Sequence, residues 1–215
     1  MFDALGKALG VCCFARAEAV VEQAEGFRAA HGIRASKVKV GMDLERDIAT
    51  VRALRDARGP SAVIYPDANH GFSPADALRF LDATQDCRLA WIDEPCPAED
   101  VLAKQRIAAQ SPIPILADES CPDVRSVVTE VPDGRSTMIS IKLARTGIGI
   151  SQRIRDFGEA TGTGVLIGSR GDSSIRYADQ CRRHWSWRRR ATGSCTIPHR
   201  RSSSLRLQNW RASTT

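Results

Sequence analysis

Three carboxylates and two lysines stand out because each closes a short apolar segment and the distances between them are nearly constant. Lys39 to Asp67 is 28 residues, Asp67 to Glu94 is 27, Glu94 to Asp118 is 24, and Asp118 to Lys142 is 24. One carboxylate alone could end its strand at solvent or cap the next helix; three at matched spacing argue for a site. Asp67, Glu94 and Asp118 gathered in one space repel one another, and burying them unpaired is costly. A hard divalent cation resolves that conflict, and oxygen ligands without cysteine or histidine favour Mg²⁺, with Mn²⁺ as a substitute.

Lys39 and Lys142 lie among β-branched and aliphatic residues in KVKV and ISIKL, an unusual setting for surface lysines. Flanking the acidic trio, their amines can approach a metal-held substrate from opposite sides. Such a set suits removal of a proton beside a carboxylate, because the cation stabilises the enediolate that forms. A lysine acts as the base once neighbouring positive charge brings its pKa toward neutrality. Lys37 faces the same side as Lys39 in an alternating strand and supplies such a charge, or holds a carboxylate oxygen. Asn69, two residues beyond Asp67, is expected to hydrogen-bond a ligand residue or substrate. Glu119 is expected to point away from Asp118 and to pair with a lysine in the mouth. His70 reads as a surface loop residue, Phe72, Phe80 and Trp91 as packing residues, and Cys96 and Cys121 as local packing.

The elements that must position these residues follow from the apolar pattern. Segments SKVKVG (36 to 41), SAVIYPDAN (61 to 69), RLAWIDEP (88 to 95), IPILADES (113 to 120), TMISIKLA (137 to 144) and TGVLIGS (163 to 169) alternate with stretches of helical periodicity. One of these, SPADALRFLDAT, opens with Ser73-Pro74, a cap followed by proline in the first turn. Strands alternating with helices at this interval predict a parallel sheet with right-handed crossovers. Each chemical residue then occupies the same level of its own strand, at the C-terminal mouth of a (β/α) barrel. An open doubly wound sheet also gathers ligands at that edge. The chain, however, has neither GxGxxG after a first strand nor GxxxxGK[ST].

Composition bounds the partners. Of 215 residues 42% are apolar and 26% charged, and no run has the length of a membrane span. The formal net charge of +6 belongs to one end: residues 177 to 215 hold nine arginines and one acidic residue, Asp179, so the rest of the chain is slightly negative. Arginine and tryptophan there could contact phosphates and bases, but no recognition module accompanies them, and nucleic acid is not the expected partner. Seven cysteines suit neither a disulfide framework nor a zinc site and indicate a reducing, cytoplasmic setting. The first residues lack a signal-peptide pattern.

KVKVG, PDANHGF, WIDEPCPAED, IPILADES and ISIKLARTG, in this order, resemble the enolase superfamily, specifically the muconate-lactonizing group of the mandelate racemase/muconate lactonizing enzyme family. The resemblance covers residues 36 to 176 and implies an incomplete TIM-type (β/α) barrel, the enolase-like C-terminal domain. It assigns acid/base roles to Lys39 and Lys142 and Mg²⁺ ligation to Asp67, Glu94 and Asp118. A lysine at position 142, without a racemase-type histidine, sets the chain apart from mandelate racemase itself. Similar proteins include muconate and chloromuconate cycloisomerases, o-succinylbenzoate synthases, N-acylamino-acid racemases and dipeptide epimerases, all acting on small carboxylates. ISIKLARTG and PDANHG incline the reading toward a cycloisomerase.

The resemblance also divides the chain. Residues 1 to 35 read as the end of a capping domain and a linker helix, 36 to 176 as a partial barrel, and 177 to 215 as an Arg/Ser/Trp-rich tail, disordered or produced by a frame shift. A barrel lacking strands exposes edges and leaves room for a homo-oligomer. It also raises the reading that the chain is an inactive fragment retaining a metal site.

Overall fold

Each apolar segment becomes a strand and each periodic stretch a helix. The computed structural model describes residues 16–32 and 35–168, so what the sequence leads one to expect of residues 1–15 and of the tail lies outside the described residues. Strands β1 (Ala35–Lys39), β2 (Val63–Asp67), β3 (Ile92–Asp93), β4 (Ile115–Ala117), β5 (Met138–Ile141) and β6 (Gly164–Ile167) form one sheet in chain order. Every pairing is parallel, and the sheet curls into a half-barrel covered by helices. The helices are α1 (Ala17–His31), α2 (Leu44–Arg58), α3 (Pro74–Ala83), α4 (Val101–Gln110), α5 (Val124–Glu130) and α6 (Leu143–Thr161).

Four of the crossover helices start where a short polar side chain satisfies a free backbone N–H. Asp43 accepts from Arg46, Ser73 from Asp76 and Asp100 from Ala103, while Asp123 forms a reciprocal box with Ser126. Each cap stabilises its helix by about 1 kcal/mol and fixes where the preceding loop ends. Those loops form the mouth.

Alternation along the strands sorts the side chains. Val38, Ile64, Ile92 and Ile115 face the helices and join Val51 and Leu54 of α2, Phe80 of α3 and Ile107 of α4 in one buried core. Ile139 and Ile141 do the same with Val127 of α5 and Ile154 of α6. Phe80 and Phe72 pack together with ring centroids 5.1 Å apart, the packing role expected of both. The opposite face of the sheet is left to Lys37, Lys39, Asp67 and Asp93, and Tyr65 and Trp91 stack there at 4.4 Å.

The expectation of equal levels needs correction. Lys39 pairs with Asp67 and Asp67 with Asp93, but Asp93 pairs with Leu116, two residues short of Asp118, and Leu116 pairs with Met138, four short of Lys142. Tilted barrel strands are staggered, so residues converging at the mouth need not be ladder partners. Because these offsets are even, Lys39, Asp67, Asp93, Asp118 and Lys142 remain on one face. Among the described residues no helix is long and apolar enough to cross a membrane, and Cys87, Cys96 and Cys121 are free and buried.

Candidate active site at the sheet mouth

Two glycines bring the first two mouth loops into contact. Gly41 has φ of +98°, and a Cβ there would lie 2.7 Å from the carbonyl of Ala68. Asp47, buried at the start of α2, accepts from the amides of Gly41 and Met42 at 2.7 and 3.2 Å and so pins the turn that follows Lys39. Beyond β2 and β3, Asn69, His70 and Glu94 adopt positive φ (44°, 66° and 40°) without being glycine. Left-handed backbone at non-glycine residues is costly and gathers at functional sites.

Lys37 and Lys39 both reach the Asp67 carboxylate, at 2.5 and 2.7 Å, and Lys37 extends to Asp93 Oδ2 at 3.3 Å. Lys39 also donates to Asn69 Oδ1, and Asn69 reaches on to Glu119 at 3.3 Å. On the far side, Lys142 forms an ion pair with Asp118 and lies 3.8 Å from Glu119. Asp118 is held as well by Arg145 at 3.0 Å. The carboxylate row thus has an ammonium at each end.

Burial and charge divide the acids. Burial alone would raise the pKa of Asp67, but the Lys37 and Lys39 charges outweigh it and hold the value below the ordinary range. Lys37 shows the reciprocal effect: burial opposes its charge, and Asp67 and Asp93 more than compensate, so its pKa is raised. Burial first and the Asp67 charge second push Asp93 up to about 8, with Asp118 and Glu119 adding to the rise. Asp93 Oδ1 is buried and has no hydrogen-bond partner.

Ligand oxygens of Asp93, Asp118 and Glu119 lie within 4.8 Å of one another. This differs from the expected trio. Glu94 stands one residue off the even register of the site face, and its carboxylate turns to the loop after β4. There Oε1 accepts from the amides of Asp118 (2.6 Å) and Ser120 (2.8 Å), and Oε2 from the Ser120 hydroxyl (2.9 Å). Burial raises the Glu94 pKa, against the opposing Lys104 charge and these hydrogen bonds. The carboxylate that aligns with Asp67 is its neighbour, Asp93.

Glu119 pairs with Lys142 as expected but joins the carboxylate cluster instead of turning from it. His70, read as a surface residue, lies between two acids, with Nδ1 3.6 Å from Glu94 and Nε2 3.9 Å from Glu119. Arg145 and Asp93 were not singled out by sequence. The signal for Asp93 was present: aliphatic Ile92 faces the helices, so the next residue must face the site. Arg145 carries no comparable pattern.

The arrangement fits a divalent cation on its own chemistry, with an all-oxygen donor set and a buried carboxylate oxygen that lacks a partner. It also places two amines beside any acid held there.

Comparison with known proteins agrees with this fold. The model of the family described as Enolase C-terminal domain-like matches residues 19–184. The hydrophobic dipeptide epimerase of Enterococcus faecalis is 33% identical over 139 residues, 64% of this chain and 39% of that protein. The crystal structure of muconate lactonizing enzyme from Mucobacterium Smegmatis superposes with a TM-score of 0.73 at 40% identity, covering 75% of this chain and 46% of that one. The dipeptide epimerase of Enterococcus faecalis V583, complexed with Mg and the dipeptide L-Leu-L-Tyr, gives 0.65 at 31% identity, covering 71% and 42%. The chain therefore spans less than half the length of these relatives. With the family model matching well over half of its residues, the chain belongs to the Enolase C-terminal domain-like family, whose related members here are isomerases.

Proposed function

We propose that the mouth of this sheet transfers a proton at the carbon next to a carboxylate of a small organic acid, and that its reaction is lactone-forming isomerisation of a muconate-type diacid. The single observation that carries the proposal is the pair of ammonium groups, Lys39 and Lys142, at opposite ends of a buried carboxylate row. Asp67, Asp93 and Asp118, with Glu119 at the rim, would hold a divalent cation of the Mg²⁺ class. When bound, the cation supplies positive charge opposite the substrate carboxylate and lowers the energy of the enediolate-like charge that develops as the α-proton leaves.

The residues of the chain do the rest. Lys37 and Lys39 neutralise Asp67 and keep it ionised. Asn69 fixes the Lys39 amine, and Asp118 and Glu119 fix that of Lys142. In the lactone-forming direction one substrate carboxylate oxygen closes on the diene, and the carbon beside the other carboxylate takes a proton from a lysine ammonium. In reverse, the neutral lysine removes that proton as the C–O bond breaks. The 40% identity to a muconate lactonizing enzyme supports this choice.

A second reading, epimerisation of dipeptides, is favoured by the curated relative at 33% identity. There one lysine removes the α-proton and the other returns a proton to the opposite face, so both amines exchange roles. Incubating the full chain with Mg²⁺ and either cis,cis-muconate or L-Leu-L-Tyr separates the two. Loss of the diene absorbance supports lactonisation, a second diastereomer by NMR supports epimerisation, and neither change with either substrate defeats both.

A further inference from the structure

We infer that Lys104, buried in the helix layer, is a positioning residue for the metal-binding segment and acts through Ser120 and Glu94; the inference rests on the metal-site reading above. Lys104 is the fourth residue of α4 and is 3% exposed. A lysine this deep must be paired, since an isolated buried ammonium is strongly disfavoured. Its amine forms an ion pair with Glu130 of α5, itself 3% exposed, and donates to the Ser120 hydroxyl at 2.6 Å. That hydroxyl donates onward to Glu94 Oε2 at 2.9 Å. Arg135 adds a second positive charge 3.8 Å from Glu130. Two carboxylates and two cations thus form a network that joins α4 and α5 to the loops after β3 and β4.

Helix packing would account for the Lys104–Glu130 pair alone. It does not account for the branch through Ser120. Glu94 grips the amides of Asp118 and Ser120, the two residues that bracket Glu119. Its own carboxylate is set by left-handed backbone at one end and by the Ser120 hydroxyl at the other. Ser120 has one hydroxyl proton, and by accepting from Lys104 it is left to donate that proton to Glu94. The lysine therefore fixes the direction of a hydrogen bond that holds two of the clustered carboxylates in place. Buried polar networks of this kind act as units, and loss of one member propagates to the others.

The test uses the full chain and Mn²⁺ alone as probe, with free Mn²⁺ read by electron paramagnetic resonance and folding by circular dichroism. Removing Lys104 by itself would leave Glu130 buried with only the Arg135 charge at 3.8 Å, so Lys104→Met is combined with Glu130→Gln, which deletes the helix pair as a unit. Ser120→Ala cuts the branch and leaves that pair intact. Each variant is expected to weaken Mn²⁺ binding by roughly tenfold. Combined, they are expected to weaken it no further than the more severe of the two, because they break one path. Wild-type Mn²⁺ affinity in either folded variant overturns the inference, as do effects that multiply. Failure of the Lys104→Met/Glu130→Gln variant to fold leaves Ser120→Ala to decide it on the same criterion. Absence of Mn²⁺ binding in the unmodified chain instead overturns the metal-site reading beneath it.

Discussion

Asp93 sits directly opposite Asp67 across the β2–β3 ladder, and the Lys37 amine reaches both carboxylates. The pairing selects Asp93 over Glu94 for the site face. Asp93→Asn is predicted to weaken Mn²⁺ binding by at least about tenfold, whereas Glu94→Gln, which keeps an acceptor for the Asp118 amide, weakens it less. Titration of both variants with Mn²⁺ checks the order, and the reverse ranking would restore Glu94 as the ligand.

Lys39 and Lys142 are predicted to matter for proton transfer and not for holding the cation. Alanine at either position is expected to lower α-proton exchange by about 10²–10⁴-fold. Mn²⁺ binding persists in both variants, since each removes a cation from beside the carboxylates. Activity equal to wild type in either variant would remove that lysine from the mechanism.

The metal-free protein is predicted to lose stability as pH rises. Asp93 has a folded pKa of about 8 against an ordinary 3.8, so across that window the folded chain keeps a proton that the unfolded chain has released. Stability linked to this group is present below the lower value and lost as pH climbs toward the upper one. Glu94, also raised, adds a slope of the same sign, and Asp67, already lowered, adds none there. Melting temperatures should therefore fall from pH 5 to pH 8, recover at pH 8 on adding Mg²⁺, and vary less with pH in Asp93→Asn. A melting temperature that rises over this range contradicts the assignment.

Gly41→Ala is predicted to destabilise the chain by about 1–3 kcal/mol, because the residue has positive φ and its new methyl meets the Ala68 carbonyl. Thermal unfolding measures this directly. A neutral result would mean that the loops after β1 and β2 can separate without cost.

Much of this was legible because strand-end chemistry and helix caps are local. The alternating KVKV gave the inward side of Lys37 and Lys39, and Ser73-Pro74 gave the start of α3. The ladder stagger was not legible, since it depends on strand tilt and not on any one segment. That is why equal spacing picked out Glu94 although Asp93 is the residue that pairs with Asp67: both are acidic and adjacent, and only alternation with Ile92 distinguishes them. Lys104 and Arg145 were hidden for a different reason. A lysine in a helix of mixed composition reads as solvated, and its burial against Glu130 comes from how α4 meets α5, which the sequence does not encode locally.

Deuterium incorporation tests proton transfer at this site most directly. With the full chain and Mg²⁺ in D₂O, proton NMR would follow the α-hydrogen of muconolactone and of L-Leu-L-Tyr. Loss of the α-proton signal of one of them, abolished by both Lys39→Ala and Lys142→Ala, is the predicted result. Retention of that signal in both substrates, in a folded chain that demonstrably binds Mn²⁺, would contradict proton transfer at this site.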